Sequence, residues 1–223
     1  MLILGIDSSD DFLAAGLTGP DGVIISKSSD SGAHNKNMLH GFVSDLFSET
    51  GYDIKSIDGV SISIGPGSFT GLRVGLAVAK GICWSLKLPL TGVSSLMAVA
   101  YSADTFIDKI LAVKDARQNE FYFGAFSREG NFLRQSIPDS VGAAEEIIVL
   151  LSQNYTPVGP GLSALARKIH DLSMPSPSQY SKDSLGGVIA LLGRRQILQG
   201  ETLDIATAIP RYIRNPKPKE WNL

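Results

Sequence analysis

Residues Ser63–Gly81 read SIGPGSFTGLRVGLAVAKG. Five glycines and one proline fall in this stretch against two charged residues, Arg73 and Lys80. Glycine at that density means that something approaches the backbone closely or that the chain turns where a side chain would clash. Three enzymatic readings fail on the spacing. A phosphate-binding P-loop needs Lys and then Ser or Thr after its last glycine, so that the ammonium reaches the β and γ phosphates; here Gly71 is followed by Leu72 and Arg73. A dinucleotide fingerprint needs a third glycine where Thr70 stands, on the first strand–helix turn of the chain. GPGSFTG also lacks the G-x-S-x-G of a nucleophile elbow.

What remains is a helix over Thr70–Leu86 with Ser68 as its cap. At 3.6 residues per turn, Gly71, Gly75, Val78, Ala79, Ile82 and Leu86 share one stripe, which Leu72, Leu76 and Cys83 widen. Arg73, Lys80 and Trp84 hold the other side, with Ala77 and Gly81 beside them. A helix this apolar around its circumference is expected to be buried on two sides. Each helical glycine costs roughly 1 kcal/mol relative to alanine, which close approach of another backbone would offset. Two readings stay open, a core helix under a sheet and a helical partner interface.

Working outward, LILGID (Leu2–Asp7), FLAAGL and VIISKS read as three strands, with TGPDG as turn chemistry between the second and third. In NKNMLHGFVSDLFSET, Met38, Leu39, Phe42, Val43, Leu46 and Phe47 recur at helical spacing, which predicts a helix from about Asn35 to Glu49. GVSISIG (Gly59–Gly65) and LPLTGV are strands on either side of the glycine-rich helix, and Ser94 caps a short helix after the second. Beyond a boundary at Ala103–Asp108, KILAVKDA and EFYFGAFS form a hairpin through RQN. VGAAEEIIVLL, LSALARKIHDL and SLGGVIALLGRRQIL read as helices, with TPVGPG as a strand and turn between the first two. No internal repeat is visible. The chain is therefore expected to be an α/β protein of two subdomains, 1–104 and 105–223, with a tail able to pack back on the first.

The 223 residues suffice for a substantial core; 43% are hydrophobic and 19% charged, a globular composition. A net charge of −2 gives no basic surface for autonomous nucleic-acid binding. Cys83 is the only cysteine, which excludes an internal disulfide or a multi-cysteine zinc site. MLILGIDSSDDF has no basic n-region and its apolar run is short for a signal sequence, and no stretch approaches a membrane span. A cytoplasmic protein without membrane contact is the expectation.

The block SISIGPGSFTGLRVGLAVAKGICWSLKLPLTGVSSLMAVA resembles the signature of the bacterial TsaB (YeaZ-like) family. LILGIDSS, VKDARQNEFYFGAF and IPRYIR are similar to the family's other marks, in the same order. The resemblance implies an actin-like, ribonuclease-H-type fold, a mixed sheet flanked by helices. It implies a role in forming threonylcarbamoyl-adenosine beside the anticodon of tRNAs that read codons beginning with adenine. TsaB is there a scaffold for a catalytic paralogue, TsaD, and an ATPase, TsaE, so ATP and metal belong to partner subunits and tRNA is met through the complex. An older label, M22 glycoprotease, travels with such sequences.

The catalytic paralogue carries a metal-binding H-x-x-x-H just after its counterpart of LPLTGV, a spacing that sets both imidazoles on one helix face. Here the matching positions are Ser95 and Val99, and valine ligates nothing. His34 and His40 would stand about 240° apart around a helix, and His170 is remote in sequence, so neither metal nor peptidase chemistry is expected. Asp7, Ser8 and Ser9 resemble the phosphate-contacting turn of actin-like ATPases, against the plainer reading of a β-turn. GPGLSA (Gly159–Ala164) is the one faint candidate for a second phosphate loop. A degenerate site, with no cofactor of the chain's own, is expected; an active nucleotide-dependent enzyme is the alternative. The basic tail, Arg211, Arg214, Lys217 and Lys219, reads as a solvated terminus, or more sharply as a contact for tRNA or a partner. The interface reading assigns Met38, Leu39, Phe42, Leu46, Gly71, Val74, Gly75, Val78 and Ile82 to a helical bundle with TsaD, and to a homodimer when the chain is alone.

Overall fold

The computed structural model describes residues 1–29, 39–169 and 176–214. The first sheet contains β1 (Ile3–Asp7), β2 (Leu13–Gly19), β3 (Gly22–Ser29), β4 (Gly59–Gly65) and β5 (Leu90–Ser94), in the order β3-β2-β1-β4-β5. Pairs β1–β2 and β2–β3 are antiparallel, whereas β1–β4 and β4–β5 are parallel. The parallel pairs need crossovers, and the chain provides them as α1 (Leu39–Thr50) and α2 (Phe69–Leu86).

The second sheet repeats this plan. Its strands are β6 (Lys109–Asp115), β7 (Phe121–Glu129), β8 (Phe132–Gly142) and β9 (Thr156–Val158), in the order β8-β7-β6-β9. Here β6–β7 and β7–β8 are antiparallel and β6–β9 is parallel, across the helix α4 (Ala144–Leu151). Two mixed sheets of one strand order, each flanked by helices, are the actin-like plan expected from the sequence. The repeat is one of topology, so the residues themselves do not display it. β8 was also not foreseen. It is an exposed edge strand interrupted by Pro138 and by two register shifts against β7, and its pattern does not alternate.

α3 (Ser95–Tyr101) lies between the sheets, where Leu96 and Val99 pack with Ile110, Phe126 and Val158 in a shared apolar core. α5 (Leu162–Ala166) is short, and α6 (Leu185–Leu198) returns to the first sheet. Gly186 lies so close to β2 that a Cβ there would meet the Ala15 backbone, and Gly187 meets Val23 and Ser26. These glycines let α6 lie on the sheet, which offsets their cost as helix formers. The first sheet ends in sequence with β5 at Ser94 and the second begins with β6 at Lys109, while α6 follows the second sheet in sequence and packs on the first.

The reading of the tail as a solvated terminus is corrected as far as Arg214. Leu203 N–H donates to Leu90 O at 2.8 Å and Arg211 N–H to Ile64 O at 2.7 Å, so residues 203–214 run as a strap across the first sheet. Its Pro210 is buried. Lys217 and Lys219 lie outside the described residues.

Candidate functional site

The carboxyl ends of β1, β4, β6 and β9 converge on one cleft between the sheets, of about 520 Å³. Open α/β sheets take ligands at such a place. Its lining includes Ser9, Asp10, Gly67, Asp115, Arg117 and Tyr212. Ser9 lines the cleft, and Asp7 and Ser8 precede it in the same turn, all three 1% exposed or less. Their polar groups are engaged within the chain. Ser8 Oγ donates to Gly71 O at 2.8 Å, and Ser9 N–H to Asp7 Oδ1 at 2.8 Å. Ser9 O accepts from Ser68 N–H at 2.7 Å, because Gly67 brings the loop before α2 directly onto the turn. In the second lobe Gly161 N–H donates to Val113 O at 3.0 Å, so the GPGLSA loop is turned onto β6.

The sequence reading missed the residue that joins these loops. Lys114, at the end of β6, has a side chain only 2% exposed. Its Nζ donates to Ser9 Oγ at 2.7 Å and Pro66 O at 3.3 Å, and stands 2.9 Å from Asp10 Oδ2. Burial pushes the Asp10 carboxyl above the usual carboxylate range, against the attraction of the ammonium. The available signal was a lysine closing the apolar run Ile110–Val113: a strand buried on both faces leaves it little path to water.

Ser95 and Val99, which the resemblance sets against the paralogue's histidines, are both core residues. Ser95 Oγ donates to Pro66 O, and Val99 packs where a Cβ on Gly159 would fall. Among the described residues no three His, Cys, Asp or Glu side chains are grouped to hold a metal ion. His40 is exposed; His34 and His170 lie outside the described residues.

α2 turns Gly71, Leu72, Gly75, Leu76, Ala79 and Cys83 inward. The helix is thus buried on one side by its own chain, and the expected stripe splits. Of the residues assigned to a partner, Leu39, Leu46, Gly71 and Gly75 are consumed by the chain's own core. Gly75 is a glycine because Ser8 and Ile62 press on it, so the assignment of its small size to a partner helix is corrected. Phe42, Val74, Val78 and Ile82 remain half-buried, and Met38 lies outside the described residues. Ala77, Gly81 and Trp84 are exposed, Trp84 at 74%, as are Phe69, Thr70, Arg73 and Ser85 of the same helix. Around a Cβ on Gly81 no other described part of the chain comes within 4 Å. Beside this face, between α1 and α2, runs a groove of about 450 Å³ lined by His40, Val43, Phe47, Tyr52, Val78 and Ile82 among others.

The family model for TsaD, tRNA N6-adenosine threonylcarbamoyltransferase, matches residues 24–220. The tRNA threonylcarbamoyladenosine biosynthesis protein TsaB of Haemophilus influenzae is 31% identical over 202 residues, 82% of this chain and 80% of its own length. The chain belongs to the TsaB family. The TsaB of Bacillus subtilis is 27% identical over 96% of this chain and 94% of its own. The solved structure of YeaZ from Pseudomonas aeruginosa superposes with a TM-score of 0.78 at 24% identity, covering 95% of this chain and 99% of that one, which shows the shared fold.

In this TsaB-family chain the strap closes the rim of the cleft. Tyr212 stacks on Phe69 at 5.2 Å, accepts from Arg73 Nε at 2.8 Å, and the Arg73 guanidinium lies 3.8 Å over the Phe69 ring. Arg214 pairs with Glu120 and donates to Ala116 O at 3.3 Å. Arg211 N–H was noted on Ile64; its guanidinium stands 3.8 Å from Asp139, whose side chain is fully buried. The two described tail residues read as possible contacts for tRNA or a partner, Arg211 and Arg214, thus have partners inside the chain. No helix of the described residues is long and apolar enough to cross a membrane.

Proposed function

We propose that this TsaB-family chain is a non-catalytic scaffold subunit in forming threonylcarbamoyl-adenosine next to the anticodon of tRNAs that read codons beginning with adenine. It acts by pairing through α1 and α2 with a TsaD-type catalytic subunit, to which a TsaE-type ATPase is added, and tRNA is met through the complex. ATP and metal reside in those partners. Alone, the same helical face pairs with itself as a homodimer, and the complex works in the cytoplasm.

The observation that carries this reading is Gly81. It stands in the middle of an eighteen-residue helix, exposed, with open space around its Cβ position among the described residues. A mid-helix glycine costs roughly 1 kcal/mol relative to alanine, and nothing described within the chain offsets it. Close approach of a second helix does, and the neighbouring Ala77, Trp84, Val78 and Ile82 supply small and apolar surface for it. The relatives' names support the pathway. The absence of catalysis is supported by Ser95 and Val99, which offer no ligand pair, and by the engaged hydroxyls of Ser8 and Ser9, which leave the turn little to give a phosphate.

The test is a reconstitution with a TsaD-type subunit, the ATPase, threonylcarbamoyl-adenylate and substrate tRNA, assaying the modified nucleoside. Product that requires this protein, with none formed by it alone, is the expected result. Gly81→Leu should fold, fail to join the TsaD-type subunit and fail in the assay. A folded Gly81→Leu that forms the complex normally would sink the assigned face, and product formed by this chain alone would sink the scaffold reading.

A further inference from the structure

The cleft has the form of a ligand site, and beneath its Ser9 and Asp10 lining a buried side chain ties the two lobes together. Lys114 crosses from the second sheet to the first and meets three oxygen atoms of two separate loops, Ser9 Oγ, Asp10 Oδ2 and Pro66 O. Ser9 and Asp10 follow β1, and Pro66 precedes α2. Gly161 packs on the Lys114 backbone, where a Cβ would come within 2.9 Å of its Cα, so the fourth converging loop holds the lysine from behind.

Two ion pairs join the loop after β1 to the second lobe, and they are not equivalent. Arg117 and Asp11 approach to 3.0 Å at the rim, but their side chains are 72% and 66% exposed. Water and salt screen such a pair, and it contributes little. Lys114 and Asp10 are 2% and 17% exposed. Removing one partner of a buried pair leaves the other charge uncompensated, a large penalty.

We propose that the Lys114 ammonium is a resident cation that holds the two lobes shut, so that closure of this cleft is built into the chain and does not depend on a bound ligand. The shared core around Leu96, Val99, Ile110 and Phe126 fixes the base of the lobes. Lys114 draws together the loops beneath the cleft. Ser68 N–H donates to Ser9 O and joins those two loops to each other beside the ammonium.

Hydrogen exchange of the full chain reads this directly, at the amides of Ser9 and Ser68. Lys114→Met should speed exchange at both by at least about tenfold while α6 and the interior of β1 keep their protection. Mg-ATP added to the wild-type protein should leave both amides unchanged. Equal protection in wild type and Lys114→Met would overturn the proposal, as would further protection of the wild type by Mg-ATP. Should Lys114→Met fail to fold, Ser9→Ala removes one acceptor at little structural cost. Faster exchange at Ser68 in that variant supports the clasp, and unchanged exchange overturns it.

Discussion

A Cβ on Gly75 would land on the hydroxyl of Ser8, which itself donates to Gly71 O one turn earlier in the same helix. The turn after β1 and the face of α2 therefore fit only because residue 75 has no side chain. Gly81, six residues on, has open space in the same test. Two glycines of one helix thus carry opposite consequences for the isolated chain.

Gly75→Ala is expected to lose about 1–2 kcal/mol, overpacking against Ser8 and Ile62 outweighing the gain in helix propensity. Gly81→Ala should instead gain up to about 1 kcal/mol. Urea unfolding curves of the two variants, recorded at one protein concentration, decide it. Equal midpoints for both would mean that α2 faces the sheet differently.

The strap is expected to detach when Tyr212 is truncated. Tyr212→Ala loses the Phe69 stack and the hydrogen bond from Arg73, together worth about 1–2 kcal/mol. Trypsin should then cut after Arg211 well before the core is attacked. A cleavage rate equal to wild type would show that residues 203–210 hold the strap alone.

Asp139 gives a pH signature. Ser94 Oγ and Gln135 Nε2 donate to it at 2.6 and 2.7 Å and Arg211 stands nearby, yet burial dominates and holds its carboxyl above the ordinary carboxylate value. A carboxyl raised in the folded state binds its proton more tightly there than in the unfolded chain. Its contribution is full below about pH 3.9 and is lost as pH rises through the folded value. Asp139→Asn, which cannot ionise, removes that dependence. The Tm difference, variant minus wild type, should be more favourable to the variant at pH 8 than at pH 4.5. The opposite trend would mean that Arg211 outweighs burial.

Cys83 should be inert in the native protein. It is fully buried in α2, and burial pushes its thiol up to about 12, so almost no thiolate exists at pH 8. A chromogenic disulfide reagent should react with it only on unfolding. Prompt stoichiometric reaction would show that α2 opens locally.

Local chemistry made much of the frame legible. β4 spans Gly59–Gly65 as its apolar run predicts, and Ser68 and Ser94 cap α2 and α3 through bonds to Gly71 N and Met97 N. Both caps depend on a hydroxyl and an amide three residues apart. β8 escaped because its edge position lets it be polar and carry Pro138. The strap escaped because its bonds go to Ile64, Phe69, Glu120 and Asp139, far away along the chain.

The sequence by itself determined the α/β class, the family and the existence of a glycine-rich helix that is apolar around most of its circumference. It did so because strand runs, caps and helical stripes are set by residues within a few positions of one another. Only the tertiary structure decided that α2 turns Gly75 inward and Gly81 outward, since periodicity says which residues share a face and not which face meets the sheet. It alone decided that Lys114 ties two loops together beneath the cleft, because its acceptors Ser9 and Pro66 lie 105 and 48 residues away along the chain.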